Sequence, residues 1–431
     1  MARFIYTLVF TLLMPLILVR LYLRARKAPE YGKHLGQRFG LFTGPKKRNA
    51  KQGGIWFHTV SVGEFIAAAP LIEQTLHAYP NELITITTTT PTGSEQVKKR
   101  FAHQLGKQVF HVYLPYDLPW FLYGFLYKVQ PRLLVILETE LWPNLIHCAN
   151  KMGCYTMVVN ARLSEKSAKG YAKVGSLTRD MLQKIDVLAV QNENDAQRFL
   201  TLGMPEQNMQ VTGSIKFDLT ISSDLVAQGK AIRQSWGEAR PVVIVASTHQ
   251  GEDEIVIDAF SKLKQSHPNL LMIIVPRHPE RFETVAGLIK QQGFNFARRS
   301  LHDTSSETEV FLLDSMGELM PFLAASDVCV MGGSFVENGG HNPLEPAALS
   351  IPVVMGKSQF NFALICQQLE QAGGLVSVSE EELSQQLAAW LAEPQSAQAA
   401  GQAAQEVVAQ NRGAKQKVAE LIESAMKKIK G

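Results

Sequence analysis

The sequence contains few cysteines, and none of the spacings by which cysteines bind metals. Its 431 residues include only Cys148, Cys154, Cys329 and Cys366. So small a number in so long a chain argues against a disulfide-framed secreted fold and favours free thiols in a reducing compartment. A chain of this length holds two or three domains, each large enough to bury a hydrophobic core.

Several signatures of cofactor or metal chemistry are also absent. The chain has no Gly-x-Gly-x-x-Gly fingerprint, no His-Glu-x-x-His motif and no Gly-x-Ser-x-Gly elbow. Gly356-Lys357-Ser358 is similar to the end of a P-loop, but Ile351 occupies the position that requires the earlier glycine. No Asp-x-Asp occurs, and the pair His341 and Glu345 has no evident third zinc ligand. The sequence therefore predicts no metal and no cofactor.

The net positive charge of the chain is small, but its basic residues are concentrated in one block. The formal net charge is +4, yet ten Lys and Arg lie between Arg20 and Lys51 against a single acid, Glu30. Such a block attracts either nucleic acid or an anionic lipid surface. It follows an apolar, uncharged run at residues 4–19, which extends to about 20 residues and is just long enough to span a bilayer. We therefore predict a lipid partner and no nucleic acid.

The apolar run is interpreted as a membrane anchor. A cleaved signal peptide ends in small, uncharged residues, whereas Arg20, Arg24 and Arg26 follow this run. A buried core helix is disfavoured by the leading position and the basic flank. The heavier positive flank is C-terminal, which places the rest of the chain in the cytoplasm. The helix either spans the membrane or lies within one leaflet.

Beyond the basic block, short β-rich runs alternate with helical patterns. A first series lies at residues 55–60, 83–88, 109–113, 133–137, 155–159 and 187–190, and a second at 242–246, 270–275, 310–313, 328–331 and 353–355. Alternation of this kind predicts a parallel sheet covered by helices on both faces. We predict an anchor at residues 1–23 and two doubly wound α/β domains at 24–220 and 221–431, with a terminal helix that can cross back to the first domain.

Glu64 lies in Ser61-Val62-Gly63-Glu64, where the first strand turns into a helix. Side chains at this place face the crevice at the strand ends. Glu64 is either a general base for a hydroxyl nucleophile or a first-turn glutamate that complements the helix dipole. A helix N-terminus lowers the pKa of a carboxylate, which weakens it as a base although it stays ionised at neutral pH.

A second pair of carboxylates ends the strand at residues 133–137. Because positions i and i+2 of a strand point the same way, Glu138 and Glu140 are expected to share a face. They could bind a metal, stabilise a transition state or pair with a cation. The alternative is a solvated strand end.

Two cations and a glycine-rich loop complete the candidate residues. Lys216 and Arg277 each follow a strand-like run, and are either surface cations or partners for a leaving phosphate. The loop at residues 332–346 has glycines that allow close approach of a ligand. Its Glu345 can accept hydrogen bonds from a diol, and the N–H groups of the helix that follows favour an anion. This combination suits a nucleotide.

In their order along the chain, these segments resemble the 3-deoxy-D-manno-octulosonic acid (Kdo) transferases of lipopolysaccharide assembly. The resemblance covers almost the whole chain, including the anchor and the basic segment. Its motifs are Gly36-Gln37-Arg38-Phe39-Gly40, Ser61-Val62-Gly63-Glu64, Glu138-Thr139-Glu140-Leu141-Trp142-Pro143-Asn144, Asn160-Ala161-Arg162-Leu163-Ser164, Gly213-Ser214-Ile215-Lys216-Phe217-Asp218, Pro276-Arg277-His278-Pro279-Glu280 and the glycine-rich loop.

The resemblance implies a GT-B glycosyltransferase, with two Rossmann-like domains and an active-site cleft between them. Such an enzyme moves Kdo from CMP-Kdo onto lipid IVA, the lipid A precursor, at the inner membrane, inverting the anomeric centre without a metal. The resemblance assigns the base to Glu64 and assistance of the transition state to Glu138 and Lys216. A sugar-nucleotide epimerase of the same architecture is the alternative, and binding of CMP rather than UDP separates the two.

The resemblance also implies the residues that hold the substrates. Arg38, Arg162 and Lys51 are candidates for contacts with the acceptor. The expected CMP contacts are Pro276, Arg277, Met316, Gly317, Glu318, Asn342, Pro343, Leu344 and Glu345.

Overall fold

A computed structural model describes residues 1–45, 54–301 and 307–430, which divide into two compact units. The first unit contains Met1–Ile215 and Arg412–Gly431, and the second contains Lys216–Asn411. The chain thus passes into the second unit at residue 216, whereas the sequence pattern placed the boundary at residue 220. Lys51 and the neighbouring cations of the basic block at residues 46–48 lie outside the described residues.

The first unit is built on a parallel sheet of seven strands in the order β3-β2-β1-β4-β5-β6-β7. Its strands are β1 (Ile55–His58), β2 (Ile84–Thr88), β3 (Val109–Tyr113), β4 (Leu133–Leu137), β5 (Tyr155–Ala161), β6 (Val187–Val190) and β7 (Met209–Val211). The first six coincide with the predicted runs, because a strand buried on both faces is apolar almost throughout. The edge strand β7 has only three residues and was not predicted.

Helices cover both faces of this sheet. They are α1 (Ala2–Lys27), α2 (Val62–Ala78), α3 (Pro91–Arg100), α4 (Pro119–Val129), α5 (Pro143–Lys151), α6 (Glu165–Ala172), α7 (Gly175–Leu182) and α8 (Glu193–Thr201), with short 3-10 helices at Pro29–Gly32, Leu35–Phe39 and Glu206–Asn208. Helix α1 is the one helix in the described residues that is long and apolar enough to cross a membrane.

The second unit holds another parallel sheet of seven strands, in the order β10-β11-β9-β8-β12-β13-β14. Its strands are β8 (Val242–Thr248), β9 (Leu271–Pro276), β10 (Phe296–Arg298), β11 (Val310–Leu312), β12 (Val328–Met331), β13 (Val353–Met355) and β14 (Leu375–Ser377). Its helices are α9 (Ser223–Trp236), α10 (Glu252–Lys264), α11 (Phe282–Gln291), α12 (Leu319–Ala324), α13 (Leu344–Ala348), α14 (Ala363–Gln371), α15 (Glu380–Ala392) and α16 (Pro394–Gln410), with 3-10 helices at Ile215–Phe217, Pro279–Arg281 and Arg299–Leu301. The predicted pair of doubly wound α/β folds is confirmed.

The last helix, α17 (Ala414–Lys430), packs on the first sheet beside α2. Its buried residues recur at helical spacing, which gives the helix one apolar face to bury. They are Ala414, Val418, Ile422, Ala425 and Met426.

Each strand order contains a switch point, where successive strands lie on opposite sides of a central strand. In the first sheet it lies between β1 and β4, and in the second between β8 and β12. Open α/β sheets bind ligands outside the carboxyl ends of strands at such points. Glu64 and Glu138 follow β1 and β4, while His249 and the glycine-rich loop follow β8 and β12. The fold therefore has Glu64, Glu138 and the glycine-rich loop, which were predicted from the sequence, at the two positions where ligands are expected, together with His249, which was not predicted.

Candidate functional site

Glu64 closes the first turn of α2. Its carboxylate accepts hydrogen bonds from Val60 N at 2.7 Å and Ser61 N at 3.2 Å, and Ser61 Oγ accepts one from Glu64 N at 3.2 Å. These reciprocal bonds form a capping box, so the structural alternative for Glu64 is present. Such bonds hold the carboxylate in one orientation, which a base also requires.

The pKa of Glu64 is nevertheless raised. Burial raises it, since the residue is only 8% exposed, and the negative charge of Glu138 adds to the increase. The hydrogen bonds from Val60 and Ser61 lower the pKa, but by less. The lowering expected from the helix N-terminus is therefore wrong in its net direction, because the sequence does not report how deeply the side chain is buried.

Glu138 ends β4 in a strained conformation. Its φ is +55°, in the left-handed region that side chains other than glycine seldom adopt. Asn160 at the end of β5 and Ser247 at the end of β8 have φ of +56° and +63°. Strain of this kind persists where the surrounding structure imposes it, often at functional sites. The Glu138 carboxylate lies 3.3 Å from Arg162 Nε, and Arg162 is half-exposed beside it.

Glu140 belongs to the same group of carboxylates. Burial, followed by the negative charges of Glu64 and Glu138, raises its pKa to about 7. Trp142 Nε1 donates a hydrogen bond to it at 3.1 Å. The sequence pattern placed Glu138 and Glu140 on one face of a strand, but β4 ends at Leu137 and both residues lie beyond it, where strand alternation does not apply. The charge of Glu138 nevertheless acts on Glu140, and the pairing of β1 with β4 brings Glu64 to them. In the described part of the chain, no group of three or more His, Cys, Asp or Glu is arranged to hold a metal ion.

An open groove of about 350 Å³ in the first unit borders on Glu140. Its other walls are largely apolar and come from α1, α5 and the α6–α7 hairpin, through Tyr6, Trp142, Tyr171 and Met181. The groove thus joins the partly buried carboxylate of Glu140 to an apolar surface, which suits a ligand with one polar and one apolar part.

The amino end of α1 is fastened to the first unit. Tyr6 Oη donates to Asp117 at 2.9 Å, and Arg3 and Thr7 donate to Asn144 Oδ1 at 3.3 and 3.1 Å. Asp117 also accepts from the N–H groups that open α5. Burial raises the pKa of Asp117 to about 6.

Arg38 differs from Arg162 in its surroundings. It is buried, donates to Thr89 O at 2.9 Å, and its guanidinium lies 4.6 Å from the centre of the Tyr113 ring. These contacts hold the 3-10 helix Leu35–Phe39 on the edge of the first sheet, a structural role for a residue predicted to contact the acceptor. Arg162 is the more accessible of these two predicted residues.

In the second unit, N–H groups at the start of the glycine-rich loop donate hydrogen bonds to the carboxylate of Glu252. Its buried carboxylate accepts from Gly333 N at 2.7 Å, Ser334 N at 3.0 Å, Phe335 N at 2.9 Å and His249 N at 2.8 Å. From the sequence, an anion was expected at the N–H groups of the helix that follows the loop, whereas Glu252 binds N–H groups at the start of the loop and was not predicted (positions 252 and 333). The sequence feature that could have identified Glu252 is its position as the first residue of a helix that follows shortly after a strand.

Gly332 brings the glycine-rich loop against the end of β8. A Cβ at this position would lie 2.5 Å from Ser247 O, closer than atoms can approach. Only glycine therefore allows the two strand ends to meet here.

Five of the predicted nucleotide contacts lie close together in this region. Asn342 Nδ2 donates to Glu345 Oε1 at 3.4 Å, and Asn342 Oδ1 accepts from Leu344 N at 3.2 Å. Burial raises the pKa of Glu345, while Asn342 and the charge of Arg277 lower it in part. Arg277 is therefore near Glu345, and Pro343 lies between Asn342 and Leu344 in the chain.

The remaining predicted residues occupy other parts of the second unit. Pro276 is the last residue of β9. Met316 is exposed, Gly317 has a φ of +89°, and the Glu318 carboxylate pairs with Arg299 at 2.7 Å. Lys216 Nζ lies 5.7 Å from the centre of the Phe362 ring, a cation–π contact. Glu64 and Glu138 belong to the first unit and Lys216 to the second.

Comparison with known proteins identifies relatives of both units. The family described as 3-deoxy-D-manno-octulosonic-acid transferase (kdotransferase) matches residues 33–219, and the family glycosyl transferases group 1 matches residues 240–407. A 3-deoxy-D-manno-octulosonic acid transferase of Haemophilus influenzae is 43% identical over 425 residues, covering 98% of each chain.

Solved structures share the fold at low identity. Anabaena HepE in complex with UDP has a TM-score of 0.56 at 15% identity and covers 86% of this chain and 100% of its own. UDP-GlcNAc 2-epimerase from Neisseria meningitidis has a TM-score of 0.55 at 13% identity and covers 87% and 100%. Because a glycosyltransferase family and an epimerase share this fold, the fold alone does not distinguish the two activities.

Proposed function

We propose, because this chain belongs to the 3-deoxy-D-manno-octulosonic acid (Kdo) transferase family, that it moves Kdo from CMP-Kdo onto lipid IVA at the cytoplasmic face of the inner membrane. The observation that carries the proposal is the whole-length relationship to the Haemophilus Kdo transferase. The GT-B type of fold is consistent with it. A whole-length relationship at this identity favours the transferase over the epimerase, which shares only the fold.

In the proposed mechanism, Glu64 is the general base. It takes the proton from a hydroxyl group of the lipid acceptor, and that oxygen attacks the anomeric carbon of Kdo as the bond to CMP breaks. Attack opposite the leaving group inverts the anomeric centre. A raised pKa makes a carboxylate a stronger base, and the bonds from Val60 and Ser61 keep it oriented.

Charges that develop in this step have partners of opposite sign. The sugar carbon gains positive charge, which Glu138 stabilises at the end of β4. The leaving phosphate gains negative charge, which Lys216 and Arg277 stabilise. A single phosphate leaves, so a few cations can take the place of a divalent metal ion. Glu345 and Asn342 are proposed to bind the ribose of CMP, with Pro276, Met316, Gly317, Glu318, Pro343 and Leu344 completing the nucleotide pocket.

The groove beside Glu140 supports an amphiphilic acceptor. Its apolar walls can hold an acyl chain, while the sugar part of the same lipid reaches the carboxylates. Arg162, half-exposed next to Glu138, is placed to meet an acceptor phosphate.

We propose that α1 lies within one leaflet. Its hydrogen bonds to Asp117 and Asn144 hold its amino end against the first unit. The partly covered residues recur along the whole helix, at positions 2, 3, 6, 7, 10, 11, 14, 17, 18, 21 and 25. A helix that crossed the bilayer away from the unit would be exposed all round, whereas this one has a single outer apolar face.

Charges on that outer face are expected to release the protein from membranes. Leu12 and Leu16 are 70% and 66% exposed, and a charge in hydrocarbon costs about 2.5–3.5 kcal/mol. The variant Leu12→Glu/Leu16→Glu should bind phosphatidylethanolamine–phosphatidylglycerol vesicles at least about tenfold more weakly in co-sedimentation. Val226→Glu, at an exposed apolar residue of the second unit, should bind like wild type. If the Leu12→Glu/Leu16→Glu variant bound vesicles as well as the Val226→Glu variant, the proposed anchor would be contradicted.

The carboxylate cluster predicts a pH effect. Burial and then the charge of Glu138 raise the pKa of Glu64, so activity should fall with decreasing pH at a pH above the ordinary glutamate value. Glu138→Gln removes a negative charge, which lowers the pKa of Glu64, and the acid limb of the kcat/KM profile should move to lower pH. The position of the limb is measurable even if the variant is slow. An unmoved limb would show that Glu138 does not act on the base.

Mass spectrometry tests the proposed reaction directly. Purified full-length protein with CMP-Kdo and lipid IVA should yield lipid that carries Kdo, together with CMP. In parallel, CMP should bind more tightly than UDP. Tight binding of UDP alone, with no Kdo added to the lipid, would favour the epimerase.

A further inference from the structure

Three histidines meet at the carboxyl edge of the second sheet. His249 follows β8, His278 follows β9, and His341 belongs to the loop after β12. The Nε2 atoms of His249 and His341 are 2.8 Å apart, and their rings stack with centroids 5.0 Å apart. The His278 ring meets His249 edge-on at 5.3 Å. These side chains lie at the switch point of the sheet, where a ligand is expected.

The surroundings of this cluster are predominantly positive. Arg277 and Arg281 act on His249, and Arg277 acts on His341. Two acids lie next to His249: Asp253 is engaged by Arg281 and Thr248, and Glu252 accepts from His249 N and from the glycine-rich loop. Burial and then these neighbours lower the pKa of His249 and bring the pKa of His341 to about 4. The cluster thus holds His249 and His341, with lowered pKa values, beside two guanidinium groups, and an anion would stabilise it.

Arg277 connects the cluster to the proposed nucleotide pocket, because its charge also acts on Glu345. In CMP-Kdo the phosphate oxygen and the sugar carboxylate are bonded to the same carbon, the anomeric carbon. A pocket that binds the phosphate at Arg277 therefore brings the second negative group among the side chains next to Arg277. Those side chains are Glu345, which is itself negative, and the histidine cluster, which can donate hydrogen bonds to a carboxylate.

We propose that His249, His278 and His341 form the subsite for the carboxylate of the donor's sugar acid, an inference that rests on the proposed function. On binding, the His249–His341 pair takes up a proton from solvent, and its N–H groups donate to the carboxylate. Glu252 holds the pair in place, since it accepts from His249 N and from the loop that carries His341. The subsite selects a nucleotide-linked sugar acid over a donor whose sugar is neutral.

Titration calorimetry in buffers of different ionisation enthalpy tests the proposal through proton uptake. Wild-type protein should take up more protons when it binds CMP-Kdo than when it binds CMP, and the affinity for CMP-Kdo should increase as the pH falls from 8 to 6 (roughly the range over which imidazoles titrate). The variant His249→Gln/His341→Gln should lose this extra uptake. Its KM for CMP-Kdo should rise at least about tenfold, the usual effect of losing a charge-assisted hydrogen bond, while its Kd for CMP stays within about twofold of wild type.

Two further variants keep the result interpretable. His278→Gln removes the exposed member of the cluster and should raise the KM for CMP-Kdo with CMP binding unchanged. His267→Gln removes a histidine before β9, at the opposite edge of the sheet, and should change neither value. An unchanged KM in the double variant overturns the subsite, as does an equal loss of affinity for CMP and CMP-Kdo. Wild-type protein that binds no CMP and transfers no Kdo overturns the proposed function instead.

Discussion

The Glu64→Gln enzyme is expected to bind CMP like wild type and to transfer Kdo about 10²–10⁴-fold more slowly, the usual contribution of a general base. Glutamine keeps the oxygen that accepts hydrogen bonds at the third position of a capping box. It removes the ability to take a proton and also turns an NH₂ group toward one of the two backbone donors, Val60 N or Ser61 N, so a moderate loss of stability is expected beside the loss of rate. The variant therefore separates the two roles that the structure combines in Glu64. Single-turnover kinetics with CMP-Kdo and lipid IVA would measure the slowed step.

The chain contains a second capping box that serves as a matched control. At the start of α15, Ser379 N donates to Glu382 at 2.8 Å in the same arrangement. Glu382→Ala should lower the free energy of unfolding only modestly, because Glu382 is exposed, and leave kcat unchanged. If Glu64→Gln also kept full kcat, Glu64 would be a capping residue and not the base.

Loss of the Glu252 carboxylate should have the largest effect on stability. Glu252→Ala leaves four N–H groups without their acceptor, the buried ones of Gly333 and Ser334 and the partly buried ones of His249 and Phe335. Each unsatisfied donor costs about 1–3 kcal/mol, so the free energy of unfolding of the second unit should fall by at least about 3 kcal/mol. Because these groups shape the glycine-rich loop, CMP binding should weaken as well. Urea denaturation and calorimetry measure the two effects.

Two comparisons define this prediction further. Glu252→Gln keeps one oxygen but directs an NH₂ group at donors, so its loss of stability should be intermediate. Asp258→Ala removes another acid of α10, which is exposed and paired with Lys262, and should change stability by no more than about 0.5 kcal/mol. Glu252→Ala protein as stable as Asp258→Ala protein would be inconsistent with an internal carboxylate that organises the loop.

The central strands could be predicted from sequence because burial on both faces leaves an unmistakable apolar run. Strands β1 and β4 appeared as runs that are followed by Glu64 and Glu138, so the candidate carboxylates were found together with the strand ends. Short edge strands such as β7 and β10 have three residues each and little pattern to detect. The boundary predicted at residue 220 also differs from the division at residue 216, because the chain passes into the second unit through a 3-10 helix at Ile215–Phe217 with no change in composition.

Three features could be predicted from the sequence alone, since each depends on residues close in the chain: the doubly wound architecture, the apolar helix α1 and the order of motifs that indicates the family. Three others are visible only in the folded protein: the raised pKa values of Glu64 and Glu140, the burial of Arg38, and the binding of Glu252 to the N–H groups of the glycine-rich loop. Folding also brings His249 to His341, 92 positions away. Burial and long-range electrostatics depend on which strand ends become neighbours, and the local sequence pattern does not indicate which strands pair.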